Sequence, residues 1–256
     1  MTRPTALITG GAGGIGAATA VRLAARGHRV AIADIDAARG VELAERIGGL
    51  FLPADIASPE DNERTVAAAV AAFGRLDAVV LNAGVAGRCG FHDFSVAAYR
   101  ETMAIDLDGA VYGMNACLPR LREQGGGSIA VVSSLAGLTP SPDPFYSAAK
   151  HALIGLVGSA ALLYAADGVR VNAVCPGVTD TPLISAFRAE LLGAGILAAE
   201  PDEIAACVEA VLESEGTGEA WVVQAGRPGT RVPRPDLPVA GVGAAGRHRP
   251  AGPPQP

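Results

Sequence analysis

Tyr146 and Lys150 stand four residues apart in the run Tyr-Ser-Ala-Ala-Lys, a spacing that puts both side chains on one face of a helix. An unassisted phenol has a pKa of about 10 and is a poor base at neutral pH. A neighbouring ammonium stabilises the phenolate and makes such a pair an acid–base device. The lysine is singular: of 20 basic residues, 19 are Arg and Lys150 is the only Lys. An ammonium is compact where a guanidinium is wide and planar, so this position asks for something that the other basic positions do not. A surface i, i+4 pair is the bland alternative. Upstream, Ser133 and Ser134 lead into Leu-Ala-Gly, and a hydroxyl there could hold a substrate carbonyl or hydroxyl oxygen against the phenol.

A second group of residues suits a dinucleotide. The run Thr9-Gly10-Gly11-Ala12-Gly13-Gly14-Ile15-Gly16 follows a short apolar stretch and opens into a helical pattern. Glycines let the backbone turn sharply and approach a ligand, while a helix N-terminus offers free N–H groups to a pyrophosphate. Asp34 lies 18 residues beyond Gly16, where a carboxylate accepts hydrogen bonds from ribose hydroxyls. The same charge repels a 2′-phosphate, Ile35 supplies no compensating base, and Asp36 adds to the repulsion. NAD(H) is therefore expected over NADP(H). The alternative reading of Asp34 is a helix cap before Ala37.

These residues must be positioned by elements that alternate along the chain. Strand candidates are 6–9, 29–34, 49–53, 78–82, 128–133, 169–174 and 220–224; nearly all are apolar on both faces, as strands covered on both sides are. Helix candidates are 15–26, 37–47, 59–73, 96–122, 145–166 and 201–213, with Ser58-Pro59 as an N-cap and first turn. The pattern predicts an α/β fold, a doubly wound parallel sheet of about seven strands, with ligands at the strands' carboxyl ends. Residues 1–226 are expected to form that single domain. Residues 227–256, rich in Pro, Gly and Arg, read as a largely disordered tail, docked at most over its first ten residues, with a basic arm for a partner as the alternative.

Composition excludes other classes. Half the 256 residues are hydrophobic and the net charge is −6, which argues against nucleic acid or an anionic membrane as the partner. The tail carries five Arg against one Asp, leaving about −10 on the body. Cys89, Cys117, Cys175 and Cys207 lack disulfide or metal spacing and read as small core residues in a reducing compartment. Neither they nor the four histidines imply a metal. No signal-peptide core and no 18-residue uncharged apolar stretch is apparent, so a cytoplasmic protein is expected.

Taken together, Thr9-Gly10-x-x-x-Gly14-x-Gly16, Asn82-Ala83-Gly84, Ser134, Tyr146-x-x-x-Lys150 and Pro176-Gly177 followed by Thr181 closely resemble the short-chain dehydrogenase/reductase family, from about residue 4 to 225. The resemblance implies a Rossmann-type domain that transfers hydride between nicotinamide and a carbonyl or alcohol carbon. In it Tyr146 is the acid/base, Lys150 its pKa-lowering partner and ribose ligand, and Ser134 the substrate-oxygen anchor. Gly10, Gly13, Gly14, Ile15, Gly16, Asp34, Asp55, Ile56, Asn82, Ala83, Gly84, Pro176, Gly177, Val178 and Thr181 would hold the cofactor, with Tyr146 and Lys150. A homo-oligomer, dimer or tetramer, is also implied.

Three departures stand out. Asp106-Leu107-Asp108-Gly109 occupies the place of the family's Asn-Leu-x-Gly, and an ionised Asp106 cannot donate to a proton relay as Asn does. The Ser134–Tyr146 interval is 12 and carries Pro140, Pro142 and Pro144, a stiff loop that would reshape the substrate wall. Gln224-Ala225-Gly226-Arg227 replaces Asp-Gly-Gly, at a place where family tetramers often make contact. Segments 85–94 and 183–199, with Phe91, Phe94, Leu183, Ile184, Phe187, Leu191, Leu192 and Ile196, suggest a partly apolar alcohol or ketone; packing of a lid and helix hairpin is the other reading. A catalytically silent NAD-sensing or scaffold protein on this fold is the competing function, opposed by the intact Ser134, Tyr146 and Lys150.

Overall fold

A computed structural model describes residues 3–233. In chain order the elements are β1 (Thr5–Thr9), α1 (Gly14–Ala25), β2 (Arg29–Asp34), α2 (Ala37–Ile47), β3 (Leu50–Pro53), α3 (Pro59–Phe73), β4 (Ala78–Leu81), α4 (Val96–Met103), α5 (Gly109–Glu123), β5 (Gly127–Val132), α6 (Pro144–Tyr164), β6 (Val169–Pro176), α7 (Arg188–Gly193), α8 (Pro201–Glu213), β7 (Ala220–Gln224) and β8 (Arg227–Arg231). The strands form one sheet in the order β3-β2-β1-β4-β5-β6-β7-β8. The chain reverses direction across the sheet between β1 and β4, and at such a switch point a crevice opens at the strands' carboxyl ends.

The strands are apolar on both faces because each face has its own helix layer. Along β1, Leu7 joins the core that holds Val66, Met114, Leu121, Leu153 and Val157. Its neighbours Ala6 and Ile8 point the other way, into the core with Leu23, Leu43, Ile204 and Val208. Successive side chains of a strand alternate faces, so two cores require a continuous hydrophobic run. Caps set the helix starts: Ser58 Oγ accepts from Asp61 N at 3.1 Å, with Pro59 in the first turn.

Helix α1 carries the glycine turn at its start, and α8 packs along it. Between them Glu209, 6% exposed, is paired with Arg22 and with Arg26 Nε, the latter at 2.5 Å. Burial pushes this carboxyl up, but the two guanidiniums more than reverse that and hold it below the ordinary glutamate value of 4.5. A depressed carboxyl contributes stability above its unfolded pKa and loses it as pH falls through the folded one. Both arginines are partly exposed, which screens the pair. Glu209→Gln is expected to cost about 1–2 kcal/mol at neutral pH, with the difference from wild type shrinking as pH falls below about 4. Thermal unfolding of both proteins across that range checks it; equal midpoints at neutral pH would refute the role.

Three sequence expectations need correction. First, residues 227–231 are not tail: they form β8, antiparallel to β7 through a turn with Gly226 at φ 67°, giving eight strands rather than seven. The run Arg-Pro-Gly-Thr-Arg has no apolar periodicity because an edge strand buries little, and Pro228 is tolerated only at an edge. The expected boundary at 226/227 therefore moves to at least 231, and residues 234–256, the rest of the expected tail, lie outside the described residues. Second, the helix expected over 96–122 is broken by a π-helical turn, Ala104–Asp108, between α4 and α5. A wider turn shifts the helix face locally, which a 3.6-residue period cannot register. Third, Cys117, Cys175 and Cys207 are buried, and burial pushes the first two thiols up to about 12, but Cys89 is only half-buried in a loop. Helix α6 is long and apolar enough to cross a membrane by length and composition, although its uncharged run is bounded by Lys150 and Asp167 and stays shorter than 18 residues. Its Ala149, Leu153 and Val157 pack against the sheet.

Candidate active site

The glycine turn is braced from three sides. Asn82 Nδ2 donates to the carbonyls of Thr9 and Gly10, each at 3.0 Å, and Thr9 Oγ1 accepts from the Asn82 and Ala83 amides. Asp34 Oδ2 accepts from Ala12 N at 2.9 Å and its Oδ1 from Asp36 N at 3.0 Å. The helix cap before Ala37 is Asp36, which accepts from Arg39 N, so Asp34 is free of that duty. Gly10 and Gly14 have φ of 62° and 51°, the left-handed region that glycine enters without penalty. A Cβ on Gly16 would collide with the Gly10 carbonyl oxygen and lie 2.7 Å from Asn82 Nδ2.

This turn fits the pyrophosphate of a dinucleotide. Helix α1 begins at Gly14 with no side chain capping its N-terminus, so its first N–H groups are available to an anion. Across the turn, Thr181 Cγ2 would stand 3.1 Å from a Cβ on Gly14, which brings the loop after Pro176, Gly177 and Val178 over the turn that holds Gly13, Ile15 and Gly16. Asp55 and Ile56 follow β3: the Asp55 carboxylate accepts from Ala57 N, and Ile56 is buried against Gly109.

The candidate reacting groups sit after β5 and on α6, beside the end of β4. Asp143 caps α6 by accepting from Tyr146 N at 3.1 Å. One turn on, Lys150 is 3% exposed, with Nζ 5.3 Å from the Tyr146 ring centroid. Ser133 and Ser134 divide the labour. Ser133 Oγ donates to the Lys150 carbonyl at 2.9 Å, a bond that locks strand to helix. Ser134 Oγ accepts from Ala136 N at 3.1 Å, which leaves its O–H to donate to a substrate oxygen. Gly137, just beyond, packs so close that a Cβ would lie 2.6 Å from the Lys150 carbonyl.

Asp106, on the π-helical turn, faces the lysine. Its Oδ1 lies 3.0 Å from Lys150 Nζ and accepts from Val85 N at 3.2 Å. Gly84 makes room for the pair, since a Cβ there would stand 2.7 Å from Asp106 Oδ1 and 3.1 Å from Lys150 Nζ. Burial alone lowers Lys150, yet the charges of Asp106 and Tyr146 and the bond to Asp106 together raise it above its ordinary value. The ammonium is thus secured beside the phenol.

The sequence pattern does not reveal four participants. Tyr99 and Phe145 join Phe91 and Phe94 in an aromatic cluster, with ring centroids of the pairs 5.1–6.2 Å apart; the place of Phe145 next to Tyr146 in sequence is the one signal that points to it. Asp143 carries no sequence signal beyond its place before Pro144. Arg39 reaches back from α2 to within 3.7 Å of a Cβ placed on Gly13, with its Nε 2.6 Å from Asp36 Oδ2. On the expected apolar wall, Ile184 is buried, while Phe91, Phe94, Leu183, Phe187, Leu192 and Ile196 are exposed. Among the described residues, no three His, Cys, Asp or Glu gather as metal ligands.

The short chain dehydrogenase profile matches residues 4–191. Cis-4-hydroxycyclohexanecarboxylate dehydrogenase of Sinomonas cyclohexanicum is 41% identical over 192 residues, 73% of this chain and 77% of that protein. Cyclohexanol dehydrogenase of Acinetobacter sp. strain SE19 is 36% identical over 231 residues, 85% of this chain and 92% of that protein. The crystal structure of 3-ketoacyl-(acyl-carrier-protein) reductase from Brucella melitensis, complexed with NADH, matches the fold with a TM-score of 0.83 at 27% identity, over 88% of this chain and 98% of that one. With the profile matched over most of the chain and relatives of this identity and coverage, the chain belongs to the short chain dehydrogenase family of oxidoreductases.

Proposed function

We propose that this protein is an NAD(H)-dependent dehydrogenase of secondary alcohols carried on a six-membered alicyclic ring, or of the matching ketones. The observation that carries the chemistry is a buried ammonium, Lys150, held over the Tyr146 ring. In oxidation Ser134 donates a hydrogen bond to the substrate oxygen, Tyr146 takes the hydroxyl proton, and Lys150 compensates the phenolate charge. Bound at the glycine turn, NAD supplies the hydride acceptor. The cyclohexane-ring relatives support the substrate class, as do the exposed Phe91 and Phe94, which pack on Phe145 and whose flat faces suit an apolar ring.

The preference for NAD over NADP rests on Asp34, whose two oxygens are fixed at the end of β2. Asp36 adds a second negative charge, and Arg39, the base nearest the turn, is already paired with it. A cytoplasmic homo-oligomer is the setting we favour, with Val111, Leu162 and Leu163 as exposed apolar positions on α5 and α6 for a second copy. Fluorescence titration with NADH and NADPH, followed by turnover of cyclohexanol, 4-hydroxycyclohexanecarboxylate and linear secondary alcohols, tests the reading. NADH is expected to bind at least about tenfold more tightly, and the ring alcohols to react at least about tenfold faster than the linear ones. Tighter NADPH binding would overturn the cofactor assignment, and equal rates would overturn the substrate class.

A further inference from the structure

Asp106 is an acid where the resembled family pattern, Asn-Leu-x-Gly, has a neutral amide. Its side chain has no exposed surface, and one oxygen takes both Lys150 and the Val85 amide. The other, Oδ2, is equally buried and has no hydrogen-bond partner among the described residues. An amide at this position could accept from Val85 and leave the lysine charge whole. A carboxylate instead sets a full negative charge 3.0 Å from the ammonium that must support the phenolate.

We propose that Asp106 is a positioning residue acting through Lys150: its carboxylate compensates the ammonium, so that Tyr146 gives up its proton only at higher pH than it would beside an uncharged residue. The proposal rests on Tyr146 as the acid–base group. Its consequence is a site weighted, near neutral pH, towards a protonated phenol, the form that donates a proton to a ketone oxygen, and away from the phenolate that accepts one from an alcohol.

The other charges nearby do not supply this effect. Burial, with a smaller push from Asp143 on α6, raises the Asp106 carboxyl above its ordinary value, and Lys150 opposes this without reversing it. From α4, Arg100 and Glu101 are exposed, Glu101 is paired with Arg88, and Tyr99 turns its ring into the aromatic cluster. The turn 135–137 has no titratable side chain. On β6, Cys175 stays a neutral thiol, pushed up to about 12, and Arg170 bonds the Leu212 carbonyl. Asp106 is thus the negative charge in direct contact with Lys150.

Asp106→Asn and Asp106→Ser, each made with Tyr146 intact and with Tyr146→Phe, provide the test. In the full-length protein, phenolate absorbance is titrated against pH, and the difference between the Tyr146 and Phe backgrounds isolates Tyr146. The acid limb of kcat/KM for cyclohexanol oxidation is measured alongside. Both midpoints are expected to move to lower pH by about one unit or more when the carboxylate is removed. A midpoint that stays put or rises in a folded variant would overturn the proposal and reduce Asp106 to packing. Should Tyr146→Phe retain full turnover, the catalytic reading fails instead, while the absorbance titration still decides what Asp106 does to the phenol.

Discussion

Tyr146→Phe is expected to lower turnover by roughly a thousandfold or more, since positioned proton transfer contributes about 10²–10⁴ in rate, while leaving NADH affinity within about twofold. The separation follows from where the hydroxyl lies. The turn that would hold the pyrophosphate is braced by Asn82, Thr9 and Asp34, none of which touches Tyr146. The phenol oxygen makes no hydrogen bond to another described residue, so its removal strands no buried partner and the variant should fold as the parent does. The ring stays under Lys150. Steady-state kinetics with cyclohexanol, together with an NADH fluorescence titration and a thermal melt, tests all three parts. Turnover equal to wild type would remove Tyr146 from the mechanism, whereas loss of NADH binding would show that the substitution had disturbed the cofactor site.

Lys150→Arg should be nearly as damaging although it keeps the charge. The lysine side chain is 4% exposed and ends in a space bounded by Asp106 and Gly84, where Nζ lies 3.1 Å from the position a Cβ on Gly84 would take. A guanidinium is longer, planar and carries five N–H donors. Here Asp106 can accept from one or two of them, and the rest would be buried without partners. Overpacking of this kind costs about 1–3 kcal/mol, and the displaced charge no longer sits over the phenol. The expected result is a loss of kcat/KM of at least about a hundredfold, about tenfold weaker NADH binding, and a lower Tm. Arg46→Lys, the reverse exchange at an exposed site on α2, should change none of these and controls for the swap itself. Unchanged kcat and NADH affinity in Lys150→Arg would mean that any cation suffices.

Much of this architecture is legible in the amino-acid sequence alone. Helices α2, α3 and α8 begin and end close to the places that caps and prolines mark, because a cap is a local hydrogen bond between a side chain and an amide three residues on. The strand positions are legible because two helix layers demand unbroken apolar runs, as the opposite orientations of Leu7 and Ile8 show. Strand β8 is not, because an exposed edge imposes no hydrophobic pattern and its pairing depends on the hairpin turn at Gly226. The π-helical turn escapes notice for a different reason. It shifts the helix face by a fraction of a turn, and what holds it in place is the contact of Asp106 with α6 and of Gly109 with Ile56.

The sequence by itself determined the candidate reagents: one lysine one helical turn from a tyrosine, a serine pair after an apolar strand, glycines ahead of a helix and an aspartate at the end of the second strand. Those follow from chemistry that acts over a few residues. Only the tertiary structure decided how the reagents are paired. It separated Ser133, which ties strand to helix, from Ser134, which keeps its proton to donate, and it gave the cap to Asp36 so that Asp34 could brace the glycine turn. It also placed Asp106 against Lys150, 44 residues apart in sequence, in a space without water-exposed surface. Charge–charge effects of that kind depend on distance and burial across elements, and both are set by packing.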